Sequence, residues 1–296
     1  MARFTSVEAT IDDRAKLVLA RLPSGGWAGG LVEFVVFGLK QGWACLFGGI
    51  FLAVILLSAL VWPQNDWLTR YDFLFLSAVA IQLAMLGLKL EQPREVLVIV
   101  AFHLIGTGME LFKTAHGSWS YPEAAFFRIE GVPLFSGFMY GAVGSYLARV
   151  TRIFELRYSH YPQPLLTGLL AIAIYANFFA DYYRWDFRIL LYVATAVLYG
   201  RCMVYFRVFK AWRKMPMILG FALVAVFIWI GKNLGTWSKV WLYPNQKHGW
   251  ELVLFSKFGS WFLLMIISFV LVNVMHKPNK MEDSVKHAPA LRTAGE

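Results

Sequence analysis

Eight long apolar runs, near residues 43–62, 72–90, 95–112, 131–149, 164–183, 188–206, 215–234 and 252–275, constrain this chain more than any other feature. Each is about the 20 residues that a helix needs to cross a hydrocarbon layer roughly 30 Å thick. A soluble chain of 296 residues could not hide them, because 58% of its residues are hydrophobic and only 16% charged. An outer-membrane barrel is excluded as well, since its strands would be about ten residues long and alternate in polarity. The expected fold is therefore all-α, a polytopic membrane bundle of about eight transmembrane helices.

The ends of the chain are polar. Residues 1–41 read as a cytoplasmic segment in which 29–40 form an interfacial helix, with Glu33 and Lys40 on its wet side. Residues 42–276 form the membrane domain and 277–296 a cytoplasmic tail. The stretch from Leu31 to Leu39 is too short for a signal peptide, carries Glu33 and has no small-residue cleavage site after it, so the first span acts as an uncleaved anchor. The net charge of +10 does not mark nucleic-acid binding, because it is distributed by loop. With the N-terminus cytoplasmic, eighteen Lys and Arg fall on the cytoplasmic side and eight on the other. This asymmetry orients both termini to the cytoplasm. Cys45 and Cys202 lie inside the runs and suggest buried packing, not a disulfide or metal site.

One motif occurs twice. Trp119-Ser-Tyr121-Pro122 follows the third run and Trp241-Leu-Tyr243-Pro244 follows the seventh, 122 residues later. Those runs are equivalent if the chain is two parallel four-helix repeats.

Charge inside a span costs roughly 2.5–3.5 kcal/mol on insertion scales, so intramembrane polar residues are the first candidates for a site. On the third run His103, Thr107, Glu110 and Thr114 share one helix face, with Lys113 beside them. The face continues into the Trp119–Glu123 loop, which is too polar for lipid. The fifth run ends with Asn177 and Asp181, four apart, and the seventh with Lys232 and Asn233. All three polar ends fall on the non-cytoplasmic side and together suggest a pocket open to that face. The plainer reading of Glu110 and Lys113 is an interfacial ion pair, and of Asp186 and Arg188 a solvated loop pair. The six histidines are scattered without the spacing of a zinc or di-iron site, no nucleotide-binding or serine-nucleophile motif is present, and no cofactor is expected.

The run Gly106-Thr-Gly-Met-Glu110-Leu-Phe-Lys-Thr114-Ala-His-Gly117-Ser-Trp119-Ser-Tyr121-Pro122-Glu123 resembles the YoaT-like bacterial integral membrane proteins, a family (domain of unknown function 817) without an established activity. The resemblance covers nearly the whole bundle and implies a shared multi-span fold. A shorter likeness, Glu110-x-x-x-Thr114-x-x-Gly117-x-Trp119-x-Tyr121 followed by Gly131-Val-Pro133-Leu, is similar to membrane carotenoid hydratases, which add water across an isoprenoid double bond.

Three functions remain open. A metal-independent enzyme acting on a lipid or isoprenoid would use Glu110 as proton donor, with Tyr121 and Glu123 beside it, and the ring faces of Trp119 and Tyr121 against developing positive charge. Its substrate-binding residues would be His103, Thr107, Lys113, Thr114, Trp119, Asn177, Asp181, Lys232, Asn233, Trp241 and Tyr243. A transporter would use Glu110, Asp181 and Lys232 between its halves, but it also needs polar residues in the cytoplasmic half of the spans, where Gln82 is one of few. The third possibility is an assembly partner. Membrane lipids are the expected partners in every case, and nucleic acid in none.

Overall fold

The structure, a computed structural model, describes residues 9–10, 13–14, 17, 27–62, 67–183, 185–208 and 212–275, without the side chains of residues 28, 93, 94 and 181. The 277–296 tail and most of the first 26 residues lie outside the described residues.

The first helix, α1 (Trp27–Ala44), meets α2 (Leu46–Val61) at Cys45 with a bend of 70°. Cys45 is exposed at this kink, contrary to the expected buried packing, whereas Cys202 is buried. Trp27, Leu31, Phe34, Val35 and Leu39 form one exposed apolar row on α1, the pattern of a helix lying in the membrane interface. Glu33 is on its polar side and pairs with Arg213 at 2.5 Å. Lys40 is not on the wet side as expected: it is 4% exposed and donates to the Val208 carbonyl at 2.7 Å.

The other seven helices are α3 (Arg70–Gly87), α4 (Pro93–Ala115), α5 (Phe135–Ile153), α6 (Pro164–Ala180), α7 (Arg188–Tyr199), α8 (Met217–Trp237) and α9 (Phe258–Met275). Each apolar run thus gives one helix, α2 to α9. Helix length supports fewer crossings than eight. Among the described residues, α3, α4, α8 and α9 (with the turn before it) are long and apolar enough, and the bent α1–α2 pair would make a fifth.

The bundle is not purely helical. The sixth run, read through to residue 206, stops as helix at Tyr199 and becomes strand β4 (Met203–Arg207). Val204, Tyr205 and Phe206 suit a pleated surface better than a helix, and Arg201 breaks the apolar stretch. Strand β4 pairs antiparallel with β3 (Arg157–Ser159) and β5 (Trp212–Pro216), with Tyr158 opposite Val204 and Tyr205 opposite Lys214. At the other end, β1 (Arg128–Ile129) and β2 (Val132–Pro133) form a hairpin. Its turn residues Glu130 and Gly131 have φ of 50° and 84°, as the tight turn that matches strand twist requires.

Helices α4 and α5 form the closest pair. The Tyr140 ring lies on Gly106 and the His103 ring on Gly137, where a methyl group would overlap either ring. Small residues at such contacts let helix backbones approach when lipid gives no hydrophobic drive.

The two halves of the chain meet through the repeated motif. Ser120 and Leu242, the middle residues of the two copies, exchange both backbone hydrogen bonds at 2.9 Å in an antiparallel bridge. Antiparallel pairing of two like segments is what a local two-fold axis produces. The helix ends before them match too: Ser118 N–H donates to the Lys113 carbonyl at 2.9 Å, and Val240 N–H to that of Gly235 at 3.1 Å. Gly117 and Lys239 take φ of 68° and 57° to allow it. The same closure ends α3 and α5, so it is not particular to the two motif copies.

Candidate functional site

Glu110, 1% exposed, sits on the last turns of α4 under the paired loops. Its Oε2 accepts from Trp119 Nε1 at 2.6 Å and from the Tyr121 hydroxyl at 2.8 Å. Its Oε1 accepts from the Tyr140 hydroxyl, on α5, at 2.7 Å. Indole nitrogen can only donate, and three donors onto two oxygens is the arrangement that suits an ionised carboxylate. Burial and the Glu110 carboxylate push the phenols of Tyr121 and Tyr243 upward, so both remain protonated donors at neutral pH.

Lys232 is 122 residues after Glu110, the offset of the two motifs, and so occupies the equivalent place on α8. Its Nζ lies 4.8 Å from the centre of the Trp241 ring and 5.6 Å from that of Tyr140, within electrostatic reach of Glu110. Lys257, in the turn before α9, places its Nζ 3.4 Å from the centre of the Tyr243 ring. The two copies of one motif are therefore used in opposite ways. Trp119 and Tyr121 turn their polar edges to an anion, and Trp241 and Tyr243 turn their ring faces to cations. Gly235 makes this possible, because the Trp241 indole fills the place where its side chain would be.

The structure thus brings together Glu110, Trp119, Tyr121, Lys232, Trp241 and Tyr243 from the expected set, and adds Tyr140 and Lys257. His103, Thr107 and Thr114 share the α4 face, and the buried Nδ1 of His103 and Oγ1 of both threonines have no hydrogen-bond partner among the described residues. Lys113 is 8% exposed beside them.

Other expected site residues make their contacts outside the Glu110 centre. Glu123 pairs with Arg70 at 2.7 Å, away from the Glu110 oxygens. Asn177 accepts from the Phe187 backbone at 2.8 Å and shapes the loop after α6. Asn233 donates to the Trp229 carbonyl at 2.9 Å and accepts from Val253 N–H at 2.8 Å, tying the loop before α9 to α8. A loop amide near a helix end has unpaired backbone groups to satisfy, and these side chains do so. The Asp181 side chain lies outside the described residues. Asp186 and Arg188 form an exposed pair at 2.6 Å, and hydrogen bonding from Arg188 holds the Asp186 carboxyl below the usual range.

The loops are anchored by Arg70-Tyr71-Asp72 at the start of α3, which the sequence reading did not single out. The Arg70 guanidinium donates to Ser58, to Glu123 and to the Ile55 and Ser238 carbonyls. The Tyr71 hydroxyl donates to the Val240 carbonyl at 2.8 Å, and Asp72 accepts from the backbone of Phe126 and Phe127. A second buried polar centre lies at the opposite end of α4 and α5. There Glu91 accepts from Gln82 at 2.6 Å and Ser145 at 2.7 Å, with Arg149 at 4.0 Å. Arg149 also donates to the Leu90 and Trp43 carbonyls. Gln82 is thus one member of a cluster, not an isolated polar residue. Glu91 lies between two helices in sequence, so no span pattern drew attention to it.

Residues 33–269 match the family model described as a protein of unknown function, DUF817. The chain is 40% identical over 240 residues to the uncharacterised protein YoaT of Bacillus subtilis (strain 168), covering 81% of this chain and 90% of the relative. Among solved structures it is similar to MvINS, an Insig homologue from Mycobacterium vanbaalenii, with a TM-score of 0.45 and 14% identity, over 64% of this chain and 98% of that one. A cross-linked trimeric form of MvINS matches to the same extent. The local likeness to carotenoid hydratases is not shown by these comparisons. With most of its length matched by the family model, the chain is a member of the DUF817 family of membrane proteins.

Proposed function

We propose that this protein binds a membrane-borne amphiphile, a lipid or isoprenoid, at the non-cytoplasmic end of its bundle, with Glu110 as a fixed part of the frame. The observation that carries this reading is the Glu110 centre itself, a carboxylate clamped by Trp119, Tyr121 and Tyr140 beside two ammonium groups held over aromatic rings. Such a centre at a membrane boundary offers a charged place for a head group while the tail stays in lipid. The same geometry weighs against acid catalysis by Glu110. Both of its oxygens are engaged, and the rings expected to face a developing cation are packed on other rings: Tyr121 edge-on to Tyr71 and Phe135, Trp119 edge-on to Tyr243.

The test is the lipid that copurifies with the protein in mild detergent, compared with a Tyr140→Phe/Trp119→Phe variant of equal thermal stability. One amphiphile enriched in the native protein and depleted in the variant is the expected result. An identical bulk-lipid profile in both would overturn the proposal. A second reading, passage of the ligand across the bundle, is favoured by the buried Glu91–Arg149 cluster at the opposite end, the kind of inner polar group a transporter needs. Exchange of the enriched amphiphile between the two leaflets of proteoliposomes tests it, and a rate equal to that of protein-free vesicles would rule it out.

A further inference from the structure

The chemistry of the head group can be read from the two lysines, given the amphiphile reading above. An ammonium group carries three donors, and a ring face takes up at most one side of it. Among the described residues no acceptor lies within hydrogen-bond distance of Lys232 or Lys257, although both are half-buried. Glu110, the carboxylate that Lys232 feels, already receives three donors. Lys257 is also within electrostatic reach of Lys232 and Lys113, so the cations repel one another across the mouth of the bundle. Leaving Lys113 aside, two positive charges stand against one negative charge whose oxygens are taken.

Cations are not gathered this way for packing alone, because repulsion and desolvation both oppose it. The Trp241 and Tyr243 faces hold the two ammonium groups in place before any ligand arrives, which lowers the ordering cost of binding. Lys232 lies over the Trp241 ring and Lys257 over the Tyr243 ring, so both ammonium groups line the same Trp241-x-Tyr243 loop.

We infer that Lys232 and Lys257 together bind an anionic head, a phosphate or carboxylate carried on an alkyl or isoprenoid tail, between the Trp241-x-Tyr243 loop and the start of α9. A monoester phosphate suits two lysines best, since it offers three terminal oxygens and close to two negative charges. Glu110 then serves as a selectivity element. It repels an anion that settles too deep.

The experiment uses the full chain in mild detergent and follows tryptophan fluorescence with two probes of equal tail, dodecyl phosphate and dodecanol, and with inorganic phosphate. Dodecyl phosphate is expected to bind at least about tenfold more tightly than dodecanol. Lys257→Met, and independently Lys232→Met, should remove most of that preference, with Lys257→Arg retaining it. Lys257→Met is the decisive variant if Lys232→Met fails to fold. Equal binding of both probes overturns the anionic head and leaves the amphiphile reading standing. Binding of neither overturns both. Inorganic phosphate that competes fully at the same concentration as dodecyl phosphate shows a free anion as the ligand and overturns a tail-borne head.

Discussion

Replacing Glu110 with Gln isolates the charge of the buried carboxylate from its shape. A glutamine can keep the hydrogen bonds: its carbonyl accepts from Trp119 and Tyr121, and its NH₂ donates to the Tyr140 hydroxyl, which turns to accept. What it loses is charge assistance, about 1 kcal/mol for each of three bonds, and the counter-charge of Lys232. Lys232 reaches Glu110 through Tyr140 and not as a direct ion pair, so the uncompensated ammonium adds about 2 kcal/mol, below the roughly 3–5 kcal/mol of a contacting buried pair. Glu110→Gln should therefore destabilise by about 5 kcal/mol. Glu110→Ala should cost more, because Trp119, Tyr121 and Tyr140 would each be left without an acceptor at about 1–3 kcal/mol. Adding Lys232→Met to Glu110→Gln should recover about 2 kcal/mol, since the two residues are coupled through Tyr140. The assay is denaturant unfolding in detergent, followed by tryptophan fluorescence and set out as a double-mutant cycle. A neutral Glu110→Gln, or additivity of the two changes within about 0.5 kcal/mol, would refute the coupled centre.

Gly235→Ala should displace the Trp241 indole and destabilise by about 1–3 kcal/mol, the usual size of an overpacking penalty, while Gly231→Ala, one turn earlier and facing open space, should be neutral or slightly stabilising. Equal thermal stability of the two variants would remove the close approach at Gly235. A Ser120→Cys/Leu242→Cys pair in a background lacking Cys45 and Cys202 should form a disulfide under mild oxidation, because residues that exchange both hydrogen bonds of an antiparallel pair have Cα atoms about 5.5 Å apart. Protease cleavage between the halves followed by non-reducing electrophoresis reads it out, and fragments that separate would disprove the bridged repeat.

The sequence by itself determined the solvent and the helical class of the bundle, whereas the eight crossings it suggested become four or five by helix length. Runs of about 20 apolar residues have one stable answer in a bilayer, since every backbone group must be paired within its own segment. The duplicated Trp-x-Tyr-Pro pointed to two like halves, and intramembrane charge pointed to Glu110 and Lys232, because its cost is local and can be read from position alone. Where an apolar run gave way to strand at Met203–Arg207, the sequence reading continued the helix, because short apolar stretches rich in β-branched and aromatic residues fit either period.

Tertiary structure decided which polar groups meet. Tyr140 and Lys257 joined the Glu110 centre from α5 and from the turn before α9, and nothing in their local sequence distinguishes them from ordinary interfacial residues. Asn177, Asn233 and Glu123 had the same polar signature as Glu110, yet the first two bind loop backbone and the third binds Arg70. Sequence fixes the depth of a polar residue along its helix but not its direction around the bundle or its partner. The opposite uses of the two motif copies show the same limit. Identical Trp and Tyr residues offer N–H and O–H edges or π faces depending on their rotation, and that rotation is set by a carboxylate from α4 in one copy and ammonium groups from α8 and the turn before α9 in the other.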